Sequence, residues 1–211
     1  MKLLVASGNA KKLRELANIL DELRIEGIEL VSLHDVASYP QPAETGLTFR
    51  ENALIKARAG AAATGLACVA DDSGLSVAAM GGMPGVLSAR WSGVHGDDEA
   101  NNRLLLAQMA DIHKRDAAFV CCCALVTPGG DAGNPVGSEF TTEGRWGGKL
   151  LTQPRGEGGF GYDPIFTPAD LPPEQRGHSS AELTPEEKNA RSHRGQALRA
   201  LAPKIAALRT D

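Results

Sequence analysis

Short apolar runs alternate with segments of helical period through the first third of this chain, and that alternation admits few architectures. Lys2–Ala6 reads as a strand and Ser7-Gly8-Asn9 as its turn. Asn9 can cap a helix whose apolar positions Leu13, Leu16, Ala17, Leu20 and Leu23 keep to steps of three and four. Ile28–Ser32 reads as a second strand. Thr48 with Glu51 three residues on is a capping-box signature for a second helix, which Gly65 closes. Ala67–Asp71 is a third strand, running into a turn at Asp71-Asp72-Ser73-Gly74. Strand and helix in alternation build layers, so the expected class is α/β.

The remainder fits that class. Met80–Gly96 is rich in glycine and reads as a long surface loop, followed by a helix from Asp97 or Asp98 to about Lys114. Phe119–Thr127 is the most apolar strand, 128–135 its turn, and Val136–Arg145 an antiparallel partner, which makes the central β-sheet mixed. Gly156–Pro164 is a glycine-rich loop with two aromatics. Thr184-Pro185-Glu186-Glu187 starts a helix. Leu198, Leu201, Ile205 and Leu208 give the terminal helix a buried stripe, bent at Pro203. No linker interrupts the pattern, so one domain over residues 1–211 is expected.

Composition removes several function classes. A net charge of -4 argues against a protein that lives on a nucleic-acid backbone. No apolar run approaches the ~18–20 residues of a membrane span, and the start MKLLVASGNAKK reads as a buried strand rather than a secretory segment. A cytoplasmic protein is expected. Cys68, Cys121, Cys122 and Cys123 show no CxxC spacing and read as small hydrophobes of reduced strands.

Four stretches can carry chemistry. At SGNAKK a helix start exposes free N–H groups and a positive dipole end, an anion seat to which Lys11 and Lys12 add charge; the alternative is a capped surface helix with solvated lysines. Asp71 and Asp72 offer adjacent carboxylates for a hard cation such as Mg²⁺, or one as a base toward water, with Glu44 a further acidic ligand; the alternative is a turn bonding its own backbone. In GGFGYDP, Phe160 or Tyr162 can stack on a base and Asp163 accept from ring N–H groups, unless the aromatics fill the core. KNARSHRG offers Lys188, Ser192, His193 and Arg194, with Lys188 and Ser192 on one face if the helix continues; the alternative is a solvated basic helix end. Lysines for phosphate, carboxylates for metal and water, and an aromatic for a base together suit a nucleoside triphosphate.

Six separated motifs, SGNAKKLREL (7–16), ETGLTFRENALIKA (44–57), ADDSGL (70–75), PGVLSARWSG (84–93), GGFGYDPIF (158–166) and SAELTPEEKNARSHRGQAL (180–198), resemble the inosine triphosphate pyrophosphatase family, the RdgB-type noncanonical purine NTP pyrophosphatases. The resemblance implies a mixed central β-sheet flanked by helices, in two lobes with a cleft between them. It implies Mg²⁺-dependent cleavage of ITP, dITP and XTP between the α- and β-phosphates, in a homodimer. It further implies that Ser7, Gly8, Asn9, Ala10, Lys11 and Lys12 bind the triphosphate with Lys56, and that Glu44 and Asp72 hold the metal. Asp72 is then also the proton acceptor, with Ser73 beside it at the substrate. Phe160, Gly161, Tyr162 and Asp163 correspond to the base-contacting loop, and Lys188, His193 and Arg194 to the remaining nucleotide contacts. Residues 167–179 depart from the family's pattern, replacing a shorter, lysine-containing stretch.

Selectivity has a donor–acceptor basis. Hypoxanthine and xanthine present a 6-oxo acceptor where adenine presents a 6-amino donor, so a donor from His193 or Arg194 would reject ATP. A nucleotide-binding regulatory module, a metal-dependent phosphatase and a purely structural protein are the competing readings from the residues alone.

Overall fold

Which residues alternate along the strands decides how the layers stack. The computed structural model describes residues 1–131 and 134–208. Its strands are β1 (Lys2–Val5), β2 (Glu29–Ser32), β3 (Ala67–Val77), β4 (Asp116–Asp131), β5 (Asn134–Leu150) and β6 (Phe166–Pro168). Its helices are α1 (Ala10–Glu22), α2 (Phe49–Thr64), α3 (Asp98–Gln108), α4 (Pro185–Arg191) and α5 (His193–Ala207). The strands form one six-stranded sheet in the order β2-β1-β3-β4-β5-β6. β1 pairs parallel with β2 and β3, while β5 pairs antiparallel with β6, so the sheet is mixed as expected.

The chain forms two compact units. The first comprises Met1–Asp72, Cys121–Gly144 and Arg194–Asp211, and the second Ser73–Val120 and Arg145–His193. In the first unit, side chains of odd-numbered strand positions such as Leu3, Val5, Val69, Cys121 and Cys123 pack against α1 and α5 through Leu16, Ile19, Leu201 and Ile205. The even positions Leu4, Cys68, Ala70, Cys122 and Ala124 pack against α2 through Ala53, Leu54, Ala57 and Ala61. A strand sends successive side chains to opposite faces, so both faces are apolar and the cysteine run serves as packing on both. The α2 face is built of small residues. A Cβ on Gly60 would lie 2.5 Å from Cys68 Sγ and 3.1 Å from Leu4 Cδ2, so glycine permits this close seat of helix on sheet.

In the second unit a core of Leu75, Val77, Leu105, Met109, Trp146 and Phe166 surrounds Phe119. The Phe119 ring meets Phe166 edge-on at 4.7 Å and stacks against His193 at 5.1 Å.

Several expectations are corrected. β3 runs straight through Asp71-Asp72-Ser73-Gly74 to Val77, where a turn was expected. Ion pairs and hydrogen bonds described below satisfy the carboxylates of Asp71 and Asp72, so the ladder need not break. β4 and β5 extend into the expected turn at 128–135, whose tip at 132–133 lies outside the described residues. α3 ends at Gln108 rather than near Lys114. Within 80–96, residues Gly85–Arg90 form a 3-10 turn, and Ser88 Oγ is buried, accepting from the Leu75 amide at 2.9 Å. Leu23 follows the last turn of α1 and is exposed, whereas Ile19 joins the core. α4 stops at Arg191, so Ser192 does not share a helix face with Lys188.

Candidate active site

The turn expected to seat an anion lies where β1 gives way to α1. Ala6 N–H donates to Val69 O at 2.8 Å, ending the strand. Ser7 Oγ then accepts from Asn9 N–H at 3.1 Å, and Asn9 Oδ1 from Lys11 N–H at 2.9 Å, the expected cap. The first turn of α1 holds no acidic side chain, so its positive dipole end faces no carboxylate of its own turn. Gly8, Asn9, Ala10 and Lys11 are exposed at this turn.

Lys12 turns inward from the same turn, and its Nζ donates to both Asp71 oxygens at 2.9 Å. Arg194, near the start of α5, donates through Nε to Asp71 Oδ2 at 3.1 Å, with Nη1 3.7 Å from Glu15 Oε2. Burial alone would raise the Asp71 carboxyl, but the charges of Lys12 and Arg194 override it and hold it well below the usual carboxylate range. Asp71 thereby holds two cations together on the α1 and α5 face of β3.

Asp72, the next residue, points to the α2 face. Its Oδ2 accepts from Asn52 Nδ2 at 2.9 Å, and its Oδ1 lies 3.9 Å from Lys56 Nζ. Lys56, one turn beyond Asn52 on α2, donates to Glu44 Oε1 at 2.6 Å. Adjacent Asp71 and Asp72 therefore do not share an ion, contrary to one option the sequence left open; the acid that converges with Asp72 is Glu44. Ser73 follows on β3.

The second unit carries the aromatic loop. Asp163 is 2% exposed and its carboxylate is fully engaged: Oδ2 accepts from Phe160 N–H at 2.8 Å and from Lys188 Nζ, and Oδ1 from Ser180 Oγ at 2.8 Å. It shapes the loop, and its oxygens are not left over for ring N–H groups of a ligand. Gly159 makes the approach possible, since a Cβ there would lie 2.2 Å from Asp163 Oδ2 at a φ of +77°. Helix α3 grips the Gly161 peptide from both sides: its N–H donates to Asp98 Oδ2 at 2.6 Å and its carbonyl accepts from Asn102 Nδ2 at 2.9 Å.

The two aromatics differ. Tyr162 is buried, its hydroxyl donating to Ser88 O at 2.8 Å, and burial pushes its acidity down. Phe160 is 60% exposed, with Lys188 Nζ 4.8 Å from its ring centroid. Of the two rings expected to meet a base, Phe160 is the exposed one and Tyr162 is core. His193 is buried against Phe119.

The sequence-predicted residues thus fall into two groups. Ser7 to Lys12, Glu44, Lys56, Asp72 and Arg194 belong to the first unit; Ser73, Phe160 to Asp163, Lys188 and His193 belong to the second. Sequence reasoning missed Asn52, Glu15, Asp98 and Asn102 as partners of these groups, and offered Asp71 as a cation ligand or base rather than as the partner of Lys12 and Arg194. One signal was available: Asn52 sits four residues before Lys56, hence on the lysine's side of its helix.

Comparison with known proteins adds an independent finding. The model of the Ham1 family matches residues 3–204. A dITP/XTP pyrophosphatase of Corynebacterium efficiens is 63% identical over 211 residues, covering 99% of both chains. The crystal structure of a nucleoside-triphosphatase / dITP/XTP pyrophosphatase from Mycobacterium abscessus, 57% identical, superposes with a TM-score of 0.78 over 97% of this chain and 100% of that one. The Ham1 protein of Staphylococcus aureus, 32% identical, gives a TM-score of 0.84 over 99% of this chain and 100% of its own.

Proposed function

Since this chain belongs to the Ham1 family, the family its motifs resemble, we propose that it is a nucleoside-triphosphate pyrophosphohydrolase. Its substrates are noncanonical purine nucleotides, ITP, dITP and XTP, split into the monophosphate and pyrophosphate. The observation that carries this is the cation pair Lys12 and Arg194 on Asp71 beside the acid-free start of α1, with Asp72, Lys56 and Glu44 on the other face of the strand. The relatives named dITP/XTP pyrophosphatases support two of these substrates, dITP and XTP.

The donor set fits Mg²⁺. No group of three or more His, Cys, Asp or Glu among the described residues is arranged to hold an ion. Mg²⁺ does not require one: it is usually held by one or two carboxylates together with substrate phosphates and waters. Glu44 and Asp72 meet that need, and both already lie against one cation, the Lys56 ammonium. Charge points the same way. With Lys11 at the α1 turn, the cations Lys12, Lys56 and Arg194 only balance the acids Glu15, Glu44, Asp71 and Asp72, so a triphosphate needs added positive charge here. Glu44 and Asp72 would hold the ion, which when bound supplies Lewis-acid stabilisation of phosphate charge.

The protein's own groups do the rest. The α1 amides and Lys12 bind phosphate oxygens, and Lys56 offsets charge developing in the transition state. Asp72 orients a water and takes its proton as the water oxygen bonds to the α-phosphorus. The bond from that phosphorus to the bridging oxygen breaks, and pyrophosphate leaves with its electron pair. Phe160 stacks on the base. His193 is buried against Phe119 and Arg194 is held on Asp71, so the donor to a 6-oxo group, expected from one of them, passes to Lys188 beside Phe160. Against adenine the same donor faces a 6-amino donor, a mismatch that can support discrimination of about 10⁴.

Incubating the protein with ITP and Mg²⁺ and identifying the products tests the reading. Pyrophosphate with IMP is expected; orthophosphate release, or equal kcat/KM for ITP and ATP, overturns it. Asp72→Asn should lower kcat by about 10²–10⁴. The reading extends to a cytoplasmic homodimer, so sedimentation equilibrium should return twice the 22.1 kDa of the chain.

A further inference from the structure

Asparagine is an indifferent helix former, because its short amide competes for backbone groups. Asn52 nevertheless lies in the first turns of α2 and is 0% exposed. A buried amide must find partners, and this one finds both outside its own helix. Its Oδ1 accepts from the Gly46 N–H at 2.8 Å, and its Nδ2 donates to Asp72 Oδ2 at 2.9 Å. Gly46 stands two residues beyond Glu44 in a stretch without strand or helix. One side chain therefore ties the segment carrying Glu44 to the carboxylate of β3. Lys56, a turn further along, touches the same two acids through a flexible stem.

From this geometry we infer that Asn52 is a positioning residue that sets the spacing of Glu44 and Asp72. The lysine supplies charge to both acids, but a four-carbon stem does not fix a distance between them. The amide does, because it is short, buried and bonded at both ends. Its donor end also holds one Asp72 oxygen, which leaves Oδ1 as the oxygen turned toward Lys56. Glycine at 46 belongs to the device: a Cβ there would lie 2.6 Å from Glu51 Cβ and 2.7 Å from Asn52 Oδ1. The inference rests on the pyrophosphohydrolase reading and adds to it a residue that touches no substrate.

The test uses the full chain, with ITP turnover and equilibrium binding as readouts. Asn52→Ala removes both links; Gly46→Ala strains the segment link and leaves Asn52 in place. Each should lower kcat about 10–100-fold, the range for losing a group that orients a metal-holding side chain, and raise KM in Mg²⁺ by no more than the factor by which Mg²⁺ tightens binding to the wild type. Thr48→Ala removes the cap of the same helix, so it should lower Tm yet hold kcat within about twofold. Asn52→Ala combined with Glu44→Gln should lose less than the product of the single losses, since both act through Glu44. In calorimetry with an ITP analogue carrying an imido bridge between its α- and β-phosphorus, Mg²⁺ should tighten binding to the wild type. Asn52→Ala should lose that tightening and keep the metal-free affinity. Asn52→Ala or Gly46→Ala turning over within twofold of wild type, Thr48→Ala losing as much kcat as they do, losses that multiply, or retained tightening by Mg²⁺ in Asn52→Ala would each overturn the inference. A wild-type chain that releases no pyrophosphate removes the functional reading as well, whereas active variants remove this inference alone.

Discussion

Replacing Asp71 by asparagine isolates the electrostatics of the phosphate end. The carboxylate accepts two bonds from Lys12 and one from Arg194, at 2.9, 2.9 and 3.1 Å. The side chains of Asp71 and Arg194 are 11% and 12% exposed and that of Lys12 is 24% exposed, so solvent screens them little. Asp71→Asn leaves two cations facing one another with the intervening charge gone. Removing one partner of a buried pair costs about 3–5 kcal/mol, and the partly exposed lysine puts this site at the low end, about 3 kcal/mol. A chain of this size loses about 2–4 °C per kcal/mol, so Tm should fall by about 6–12 °C. If those cations exist to meet phosphate, an added polyanion should take the place of the missing carboxylate. Differential scanning fluorimetry with tripolyphosphate should therefore show a larger upward shift in Asp71→Asn than in the wild type. An unchanged Tm, or equal shifts in the two proteins, would refute the argument.

The loop aromatics should separate binding from stability. Phe160→Ala removes a stacking surface worth about 1–3 kcal/mol per base, so KM for ITP should rise about 5–150-fold at nearly constant Tm. Tyr162→Phe unmakes the buried bond to Ser88 O and should cost about 1 kcal/mol of stability, read in a urea titration, with KM unmoved. Burial pushes the Cys68 thiol from its ordinary 9.0 up to about 12. A folded pKa raised in this way contributes stability that is whole below pH 9 and is lost as pH climbs toward 12, because the unfolded chain ionises first. Unfolding free energies from urea titrations should therefore decline on the alkaline side by up to about 1.4 kcal/mol per pH unit, and Cys68→Ala should show a shallower decline.

The regular elements were legible because their signals are local. Asn9 and the Thr48–Glu51 box announce helix starts, and the apolar runs at Leu3–Val5 and Phe119–Val126 announce strands. DDSG was misread for a physical reason. Carboxylates favour turns unless something distant neutralises them, and here the neutralising groups come from positions 12, 52, 56 and 194. The same distance hid the fate of Asp163, whose satisfaction by Ser180 and Lys188 no spacing rule encodes. Tyr162 and Phe160 are two residues apart in one glycine-rich loop, and nothing local says which of them is swallowed by the core. Lys12, Lys56 and Asp72 could be singled out because residue type and motif context already suggested phosphate and metal chemistry. Asn52 could not, since an amide inside a helix advertises nothing until its partners are in view.

The tight seat of α2 on its strands has a consequence for inherited or engineered lesions. Gly60 rests against Cys68 and Leu4, while Asn52 and Lys56 project from the same helix roughly 12 and 6 Å away along its axis, at ~1.5 Å per residue. A methyl group at position 60 would wedge the helix outward and carry both side chains off the acids they serve. Such a chain would keep every reactive group it was born with and still fail, crippled by a shim in its scaffolding instead of by any missing tool.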